Sequence, residues 1–215
     1  MLRLIGIDGD KGAGKDTLAE VLIRQFGFTR VPFAKPLKDI LSEVFLLPPI
    51  TFEDRILKEQ AFPVPMELTS YHLQRILDEI ELRGIKVSDQ SVRDCLSMKN
   101  TLLHSPREMM QIVGSEMVRL KVGYDTWVNL WVREQAKYDK VVAPDARFQN
   151  ERDAISVRMG KNVLIKRPDL INADSHISEN NHGKDEAYDA IVTNTVSKQA
   201  LQSEFAMWYT VKKDK

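Results

Sequence analysis

One cysteine, Cys95, stands in 215 residues, so no disulfide can form within the chain. A lone cysteine suits a reducing compartment and reads as a small buried side chain rather than a nucleophile. Net charge is also missing: Lys plus Arg and Asp plus Glu number 31 each. That balance argues against a general binder of nucleic acid or membrane surfaces, both of which need a basic excess. It leaves room for a local basic pocket that takes a small anion. No leader pattern and no run of about 18 apolar residues is present, so the expectation is a chain that neither spans a membrane nor is exported by that route. Internal repeats and low-complexity tracts are absent too. At 43% hydrophobic residues the chain can still bury a sizeable core, and its length fits one domain with an inserted subdomain.

What the chain does have is Gly9-Asp10-Lys11-Gly12-Ala13-Gly14-Lys15-Asp16-Thr17. This stretch follows Leu2-Arg3-Leu4-Ile5-Gly6-Ile7, an apolar run that reads as a buried strand. It leads into Leu18, Val21, Leu22 and Phe26, which share one face of a helix. Strand, glycine-rich loop and helix form the setting a phosphate-binding loop needs. The glycines let backbone N–H groups turn inward around a polyphosphate, the helix N-terminus adds its dipole, and Lys15 adds a mobile positive charge. The general pattern puts Ser or Thr directly after the lysine as a magnesium ligand. Here Asp16 holds that position, with Thr17 behind it. Its carboxylate reads equally as a hard-oxygen ligand for magnesium or as an acid favoured by the helix dipole.

Downstream, strands and helices alternate. Phe28-Thr29-Arg30-Val31-Pro32-Phe33 is expected as a second strand. A helix from Pro36 then carries Leu37, Ile40, Leu41, Val44 and Phe45 on one face until Pro48-Pro49 breaks it. Residues from about 47 to 104 hold several prolines and many charges with no clear strand. Within them Leu73, Ile76, Leu77 and Ile80 predict one amphipathic helix ended by Gly84, so the stretch reads as a helical insertion. Ser105-Pro106-Arg107-Glu108 starts a helix with Met109, Ile112, Val113, Met117 and Leu120 at helical spacing. Asp125-Thr126 opens another with Trp127, Leu130 and Trp131, whose tryptophans read as core in preference to base-stacking surfaces. Lys140-Val141-Val142-Ala143-Pro144 is a third strand ending in Asp145, and a short helix follows to Gly160. Asn162-Val163-Leu164-Ile165 and Asp189-Ala190-Ile191-Val192-Thr193 are the fourth and fifth, before a helix near Ser197. Residues from 167 to about 188 are polar and aperiodic, which fits a solvated loop or a lid. The alternation predicts an α/β fold: a five-stranded parallel sheet with helices on both faces.

In such a sheet ligands collect at the carboxyl ends of the strands. Lys15, Asp145, Arg147, Lys166, Arg167 and Asn194 all follow strands and should converge. Asp145 suits magnesium, with a helix cap as the alternative. Arg147 suits phosphoryl oxygens gripped bidentately, with a salt bridge to Glu151 as the alternative. No Asn-Lys-x-Asp guanine motif is present, which counts against a GTPase-type switch.

Several stretches together resemble the deoxynucleoside monophosphate kinases of bacteriophages, within the nucleoside monophosphate kinase group of P-loop proteins. They are Gly14-Lys15-Asp16-Thr17, Phe33-Ala34-Lys35-Pro36-Leu37-Lys38, Ser105-Pro106-Arg107-Glu108 running to Gly114-Ser115-Glu116, Trp127, Asp145-Ala146-Arg147-Phe148-Gln149-Asn150-Glu151, and His176-Ile177-Ser178-Glu179. The Asp-x-Arg-Phe-x-Asn-Glu stretch is the most specific, and the Lys-Asp-Thr ending also occurs in that family. The resemblance implies a single P-loop kinase domain over 1–215, with a helical acceptor-binding insertion at about 47–104 and a lid at about 167–188. It implies transfer of the ATP γ-phosphoryl group to a deoxynucleoside monophosphate, for nucleotide supply in DNA synthesis. Lys11, Gly12, Ala13, Gly14, Lys15, Asp16 and Thr17 would hold ATP, with adenine near Asn194. Asp16 and Asp145 would organise Mg2+. Lys38, Arg107, Arg119, Trp127 and Arg147 would meet the acceptor, and Arg167 the transferring group. Lys15, Asp145, Arg147 and Arg167 are thus the expected catalytic residues. The implied partners are small-molecule nucleotides, without nucleic acid or membrane, and a homodimer stays open. The implied location is the cytoplasm, that of the host if the chain is phage-encoded. The rival readings are another P-loop small-molecule kinase, such as one acting on dephospho-coenzyme A, and a non-catalytic nucleotide-binding switch.

Overall fold

Ile5 and Ile7 are fully buried and alternate with Leu4, Gly6 and Asp8, which are also buried. A strand covered on both faces belongs at the centre of a parallel sheet. The computed structural model describes residues 2–169, 183–195 and 197–213. In chain order the described elements are β1 (Leu4–Asp8), α1 (Lys15–Phe26), β2 (Thr29–Arg30), α2 (Lys35–Phe45), α3 (Ile50–Glu53), β3 (Met66–Leu68), α4 (Ser70–Leu82), α5 (Asp89–Leu96) and β4 (Thr101–Leu103). Then come α6 (Pro106–Gln111), continued by a π-helix over Ile112–Val122, α7 (Thr126–Gln135), β5 (Val141–Ala143), α8 (Gln149–Ser156), β6 (Lys161–Lys166), β7 (Ala190–Thr193) and α9 (Lys198–Lys212). They form two compact units, Met1–Phe33 with Trp131–Lys215, and Ala34–Leu130.

The first unit holds a five-stranded sheet in the order β2-β5-β1-β6-β7. Every pair is parallel, with Leu4 opposite Val141 on one side of β1 and Asp8 opposite Leu164 on the other. The loop after β1 therefore lies where the strand order reverses, the place at which open α/β sheets bind ligands. Side chains alternate across the sheet. Ile5 and Ile7 pack with Leu18, Val21 and Leu22 of α1 and with Leu201, Phe205 and Tyr209 of α9. On the opposite face α8 comes so close that a Cβ on Gly6 would stand 2.2 Å from Ile155 Cδ1. Helices thus cover both faces, as the alternation predicted. Each fully buried Leu or Ile contributes about 1.5–3 kcal/mol. Trp131 is core, with its ring stacked on Phe33 at 4.0 Å and its indole N–H on the Val31 carbonyl at 2.8 Å. Tyr209 donates to the Leu2 carbonyl at 3.0 Å, which fastens α9 to the start of the chain. The second strand is shorter than expected, because only Thr29 and Arg30 are laddered.

The second unit is mainly helical. Leu37, Ile40 and Leu41 of α2, Leu73, Ile76, Leu77 and Ile80 of α4, and Met109, Val113 and Met117 share one core. Thr69 caps α4, Ser88 caps α5 and Ser105 caps α6, each by accepting a backbone N–H with its hydroxyl. Three features depart from expectation. β3 and β4 pair antiparallel, Met66 with Leu103 and Leu68 with Thr101, within a stretch that showed no clear strand. Each is three residues long and they lie far apart in sequence, too short for alternation to register. α5 is a second helix in a stretch expected to hold one, and its apolar stripe is only Val92, Cys95 and Leu96. The helix begun at Ser105 turns π-helical after Gln111, and its wider turn buries Val113, Gly114, Met117 and Val118 while leaving Leu120 75% exposed. Leu37 Cδ2 would lie 2.7 Å from a Cβ on Gly114, so the bare backbone there admits α2. Among the described residues no helix is long and apolar enough to cross a membrane. Residues 170–182 of the expected lid, including His176 to Glu179, lie outside the described residues.

Candidate active site

Gly9 and Gly14 both have left-handed backbones, φ 143° and 115°. A side chain at Gly9 would also strike the Ile165 carbonyl, since a Cβ would stand 2.4 Å from that oxygen. Between them the chain turns back, with the Ala13 N–H on the Asp10 carbonyl at 3.1 Å. α1 starts at Lys15, and no side chain caps its N-terminus. The first amides of a helix have no intrahelical acceptor, which is what an anion at this position uses. Lys15 Nζ donates to the carbonyls of Gly9 and, at 2.7 Å, of Asp10.

Residues remote in sequence meet this loop. Asn194, past the end of β7, donates from Nδ2 to the Ala13 carbonyl at 2.7 Å. Arg167, past the end of β6, brings Nη1 to 3.5 Å from the Gly12 carbonyl. Asp16 is paired with Arg30, and Thr17 is half-buried in the first turn of α1. Lys11 and Gly12 are exposed at the loop tip. Asp145 follows β5, and its Oδ1 accepts the Phe33 N–H at 2.8 Å. It does not cap α8, whose N-cap position is Phe148. Glu151 takes the capping role, accepting the backbone N–H groups of Arg147 at 2.8 Å and Phe148 at 3.0 Å. Arg147 is half-buried, and its carbonyl accepts from Arg152 Nη1 at 2.6 Å.

Three residues at this end of the sheet escaped the sequence reading: Asp8, Arg152 and Tyr188. Arg152 Nη1 lies 3.4 Å from Asp8 Oδ2, and the Tyr188 hydroxyl donates to the same oxygen. Burial first, and then the Asp8 charge, push the Tyr188 hydroxyl well above its ordinary pKa. The available signal was an acid closing an otherwise apolar strand.

The remaining predicted residues belong to the unit Ala34–Leu130. Lys38 is half-buried on α2. Arg107, in the first turn of α6, pairs with Glu59 at 3.2 Å. Arg119 points inward from the π-helix at 7% exposure, with its guanidinium 5.0 Å from the centre of the Tyr124 ring. Trp127 is 5% exposed, and its indole N–H donates to the Gly114 carbonyl at 2.8 Å.

A parallel sheet whose central strand runs into a Gly9-to-Lys15 phosphate loop, with cations and an acid at neighbouring strand ends, defines a P-loop kinase. The family model for deoxynucleotide monophosphate kinases matches residues 55–205. The chain belongs to that family and is an enzyme that phosphorylates deoxynucleoside monophosphates, with ATP as phosphoryl donor. The match begins beyond the phosphate loop, so loop and family rest on separate stretches of sequence. A relative from Acanthamoeba polyphaga mimivirus is 27% identical over 219 residues, covering 94% of this chain and 93% of that protein. The deoxynucleoside-5'-monophosphate kinase of Escherichia phage T5 is 29% identical over 184 residues, 71% of each chain. Dephospho-CoA kinase from Campylobacter jejuni aligns over the full length of both chains at 13% identity, with a TM-score of 0.42.

Proposed function

We propose that the chain moves the γ-phosphoryl group of ATP to the phosphate of a deoxynucleoside monophosphate, giving the diphosphate, with the phosphate loop holding the donor. The observation that carries this reading is the meeting of Lys15, Arg167 and Asn194 on the backbone of residues 9–13. Phosphoryl transfer needs little covalent chemistry from the protein, so groups that position and neutralise the phosphates are the machinery.

Lys15 exchanges its loop carbonyls for phosphate oxygens when the donor binds, and the loop amides bind the same chain of phosphates. Thr17 reaches an inner phosphate. Arg147 grips phosphoryl oxygens with its fork, while Glu151 and Arg152 fix its backbone on both sides. Arg167 meets the transferring group, and Asn194 sets the loop beneath the adenine. Lys38, Arg107 and Arg119 receive the acceptor phosphate, with Trp127 as a rigid support whose N–H is already bound.

The oxygen donors present fit Mg2+. Asp16, Thr17 and Asp145 offer carboxylates and a hydroxyl. Among the described residues no cluster of three or more acidic, histidine or cysteine side chains is built. Mg2+ keeps several waters and takes substrate phosphates for much of its shell, so one or two carboxylates are enough to hold it. Mg2+ there would neutralise phosphate charge; Asp16 and Asp145 would hold it.

The test is a coupled assay of ADP formation with ATP, magnesium and each deoxynucleoside and ribonucleoside monophosphate in turn, with dephospho-coenzyme A as a further acceptor. ADP should form with at least one deoxynucleoside monophosphate. Turnover with dephospho-coenzyme A alone would sink the reading.

A further inference from the structure

One buried cluster stands behind the residues assigned above, and only its Arg152 has been given a role. Asp8, the last residue of β1, is 1% exposed, and its carboxylate meets the adjoining Gly9 and two remote segments of chain. The Gly9 N–H donates to Oδ1 at 2.7 Å, the Tyr188 hydroxyl donates to Oδ2, and Arg152 Nη1 lies 3.4 Å from Oδ2. Arg152 is buried as well, and its Nη2 donates to Gln149 Oε1 at 3.0 Å. The Tyr188 oxygen accepts the Gly183 N–H at 3.1 Å, and the ring centre lies 5.4 Å from the Arg152 guanidinium carbon. A Cβ on Gly183 would stand 3.0 Å from Arg152 Nη2, so the chain there closes directly on the guanidinium.

We infer that Asp8 is a positioning residue for phosphoryl transfer: through Gly9, Arg152 and Tyr188 its carboxylate holds the entrance of the phosphate loop, the backbone of Arg147 and the chain at 183–188 in one frame. The inference rests on the roles proposed for that loop and for Arg147. A buried ion pair is poor value as a stabiliser, because well-packed apolar side chains of similar volume do as well or better. What it supplies is direction. Oδ1 points the amide that opens the loop, next to the left-handed backbone of Gly9. Nη1 of Arg152 serves both the Asp8 carboxylate and the Arg147 carbonyl, so a shift in one is passed to the other. Tyr188 stays protonated, since burial and the Asp8 charge both disfavour its phenolate, and its hydroxyl therefore keeps donating to Asp8.

The experiment compares Tyr188→Phe and Asp8→Asn with the wild type in the full chain. It reads kcat, KM for ATP and for the acceptor, and thermal melting. Tyr188→Phe keeps the ring against Arg152 and removes only the hydroxyl. Misplacing reacting groups by about 1 Å can cost up to about 100-fold. We expect kcat per folded molecule to fall about tenfold in Tyr188→Phe and further in Asp8→Asn, with KM for ATP changed less than about threefold. If Asp8→Asn does not fold, Tyr188→Phe decides alone. A lowered melting temperature with kcat per folded molecule within about twofold of wild type in Tyr188→Phe would overturn the inference. An inactive wild type would instead remove the proposed function, and this assignment with it.

Discussion

The surroundings of the phosphate loop and the helical unit use their charged side chains differently. Around the phosphate loop, ionic and polar groups bond mainly to backbone: Lys15 to two loop carbonyls, Asn194 to Ala13, Asp145 to the Phe33 N–H, Glu151 to two amides, Arg152 to the Arg147 carbonyl. In the helical unit, cations pair with carboxylates: Arg83 with Glu43 and Glu79, Arg75 with Glu79, Lys35 with Asp39, Arg107 with Glu59. Side chain to backbone bonds fix where a loop goes, which is how a site is held ready for charge that develops in a transition state. Pairs between side chains on helix surfaces contribute a few tenths of a kcal/mol and position little. Kinetic damage should therefore concentrate in the first set, and small stability losses in the second.

The largest effect is expected at Lys15. Lys15→Ala should lower kcat about 100-fold or more, as loss of one preorganised electrostatic group does, with melting little changed. Near wild-type kcat in a folded Lys15→Ala protein would break the comparison at its strongest point. Arg147→Lys comes next. It keeps the charge but loses the fork, and with it one charge-assisted hydrogen bond, so turnover should fall about tenfold. A collapse in melting temperature with unchanged activity per folded molecule would make Arg147 a structural residue instead.

The same contrast explains what could be read from sequence. The phosphate loop is local: its glycines, lysine and helix are contiguous, so both shape and chemistry show in the order of residues. The sheet was legible because β1, β5, β6 and β7 are short apolar runs between helices. Some of the bonds that hold the site were not legible, because they join residues more than a hundred positions apart, such as Phe33 with Asp145 and Tyr188 with Asp8. In the helical unit, caps and apolar stripes announced α4 and α6. The π-helical continuation was missed because the apolar spacing of its residues suits an α-helix equally well.

Asp16 tests the boundary between the two behaviours, since it stands in the loop yet pairs with a side chain, Arg30. If its carboxylate serves the metal, Asp16→Ala should raise the magnesium concentration for half-maximal rate severalfold, with ATP binding weakened less. Asp16→Ser should be milder, because a hydroxyl is what most such loops offer the ion. A magnesium titration of kcat at saturating nucleotides decides the point. Three superimposable curves would leave Asp16 as a helix-terminus acid that contributes about 0.3–1 kcal/mol of stability.

The smallest effect is expected at Arg75. Its Nη2 lies 3.1 Å from Glu79, one turn along α4, and Glu79 keeps Arg83 as a second partner when Arg75 is removed. Arg75→Ala should therefore cost only about 0.3–0.5 kcal/mol. In a domain of this size that is about 1 °C of melting temperature. Neither kcat nor either KM should move, because no loop depends on the pair. Arg83→Ala is the sharper companion. It removes the guanidinium that joins Glu79 to Glu43 and leaves a carboxylate with 9% of its side chain exposed short of a donor, so its stability loss should exceed that of Arg75→Ala. Thermal melts and steady-state kinetics on both variants measure this. A fall in kcat for Arg75→Ala at unchanged melting temperature would show that a surface pair in the helical unit positions substrate after all, and the division of labour argued here would fail.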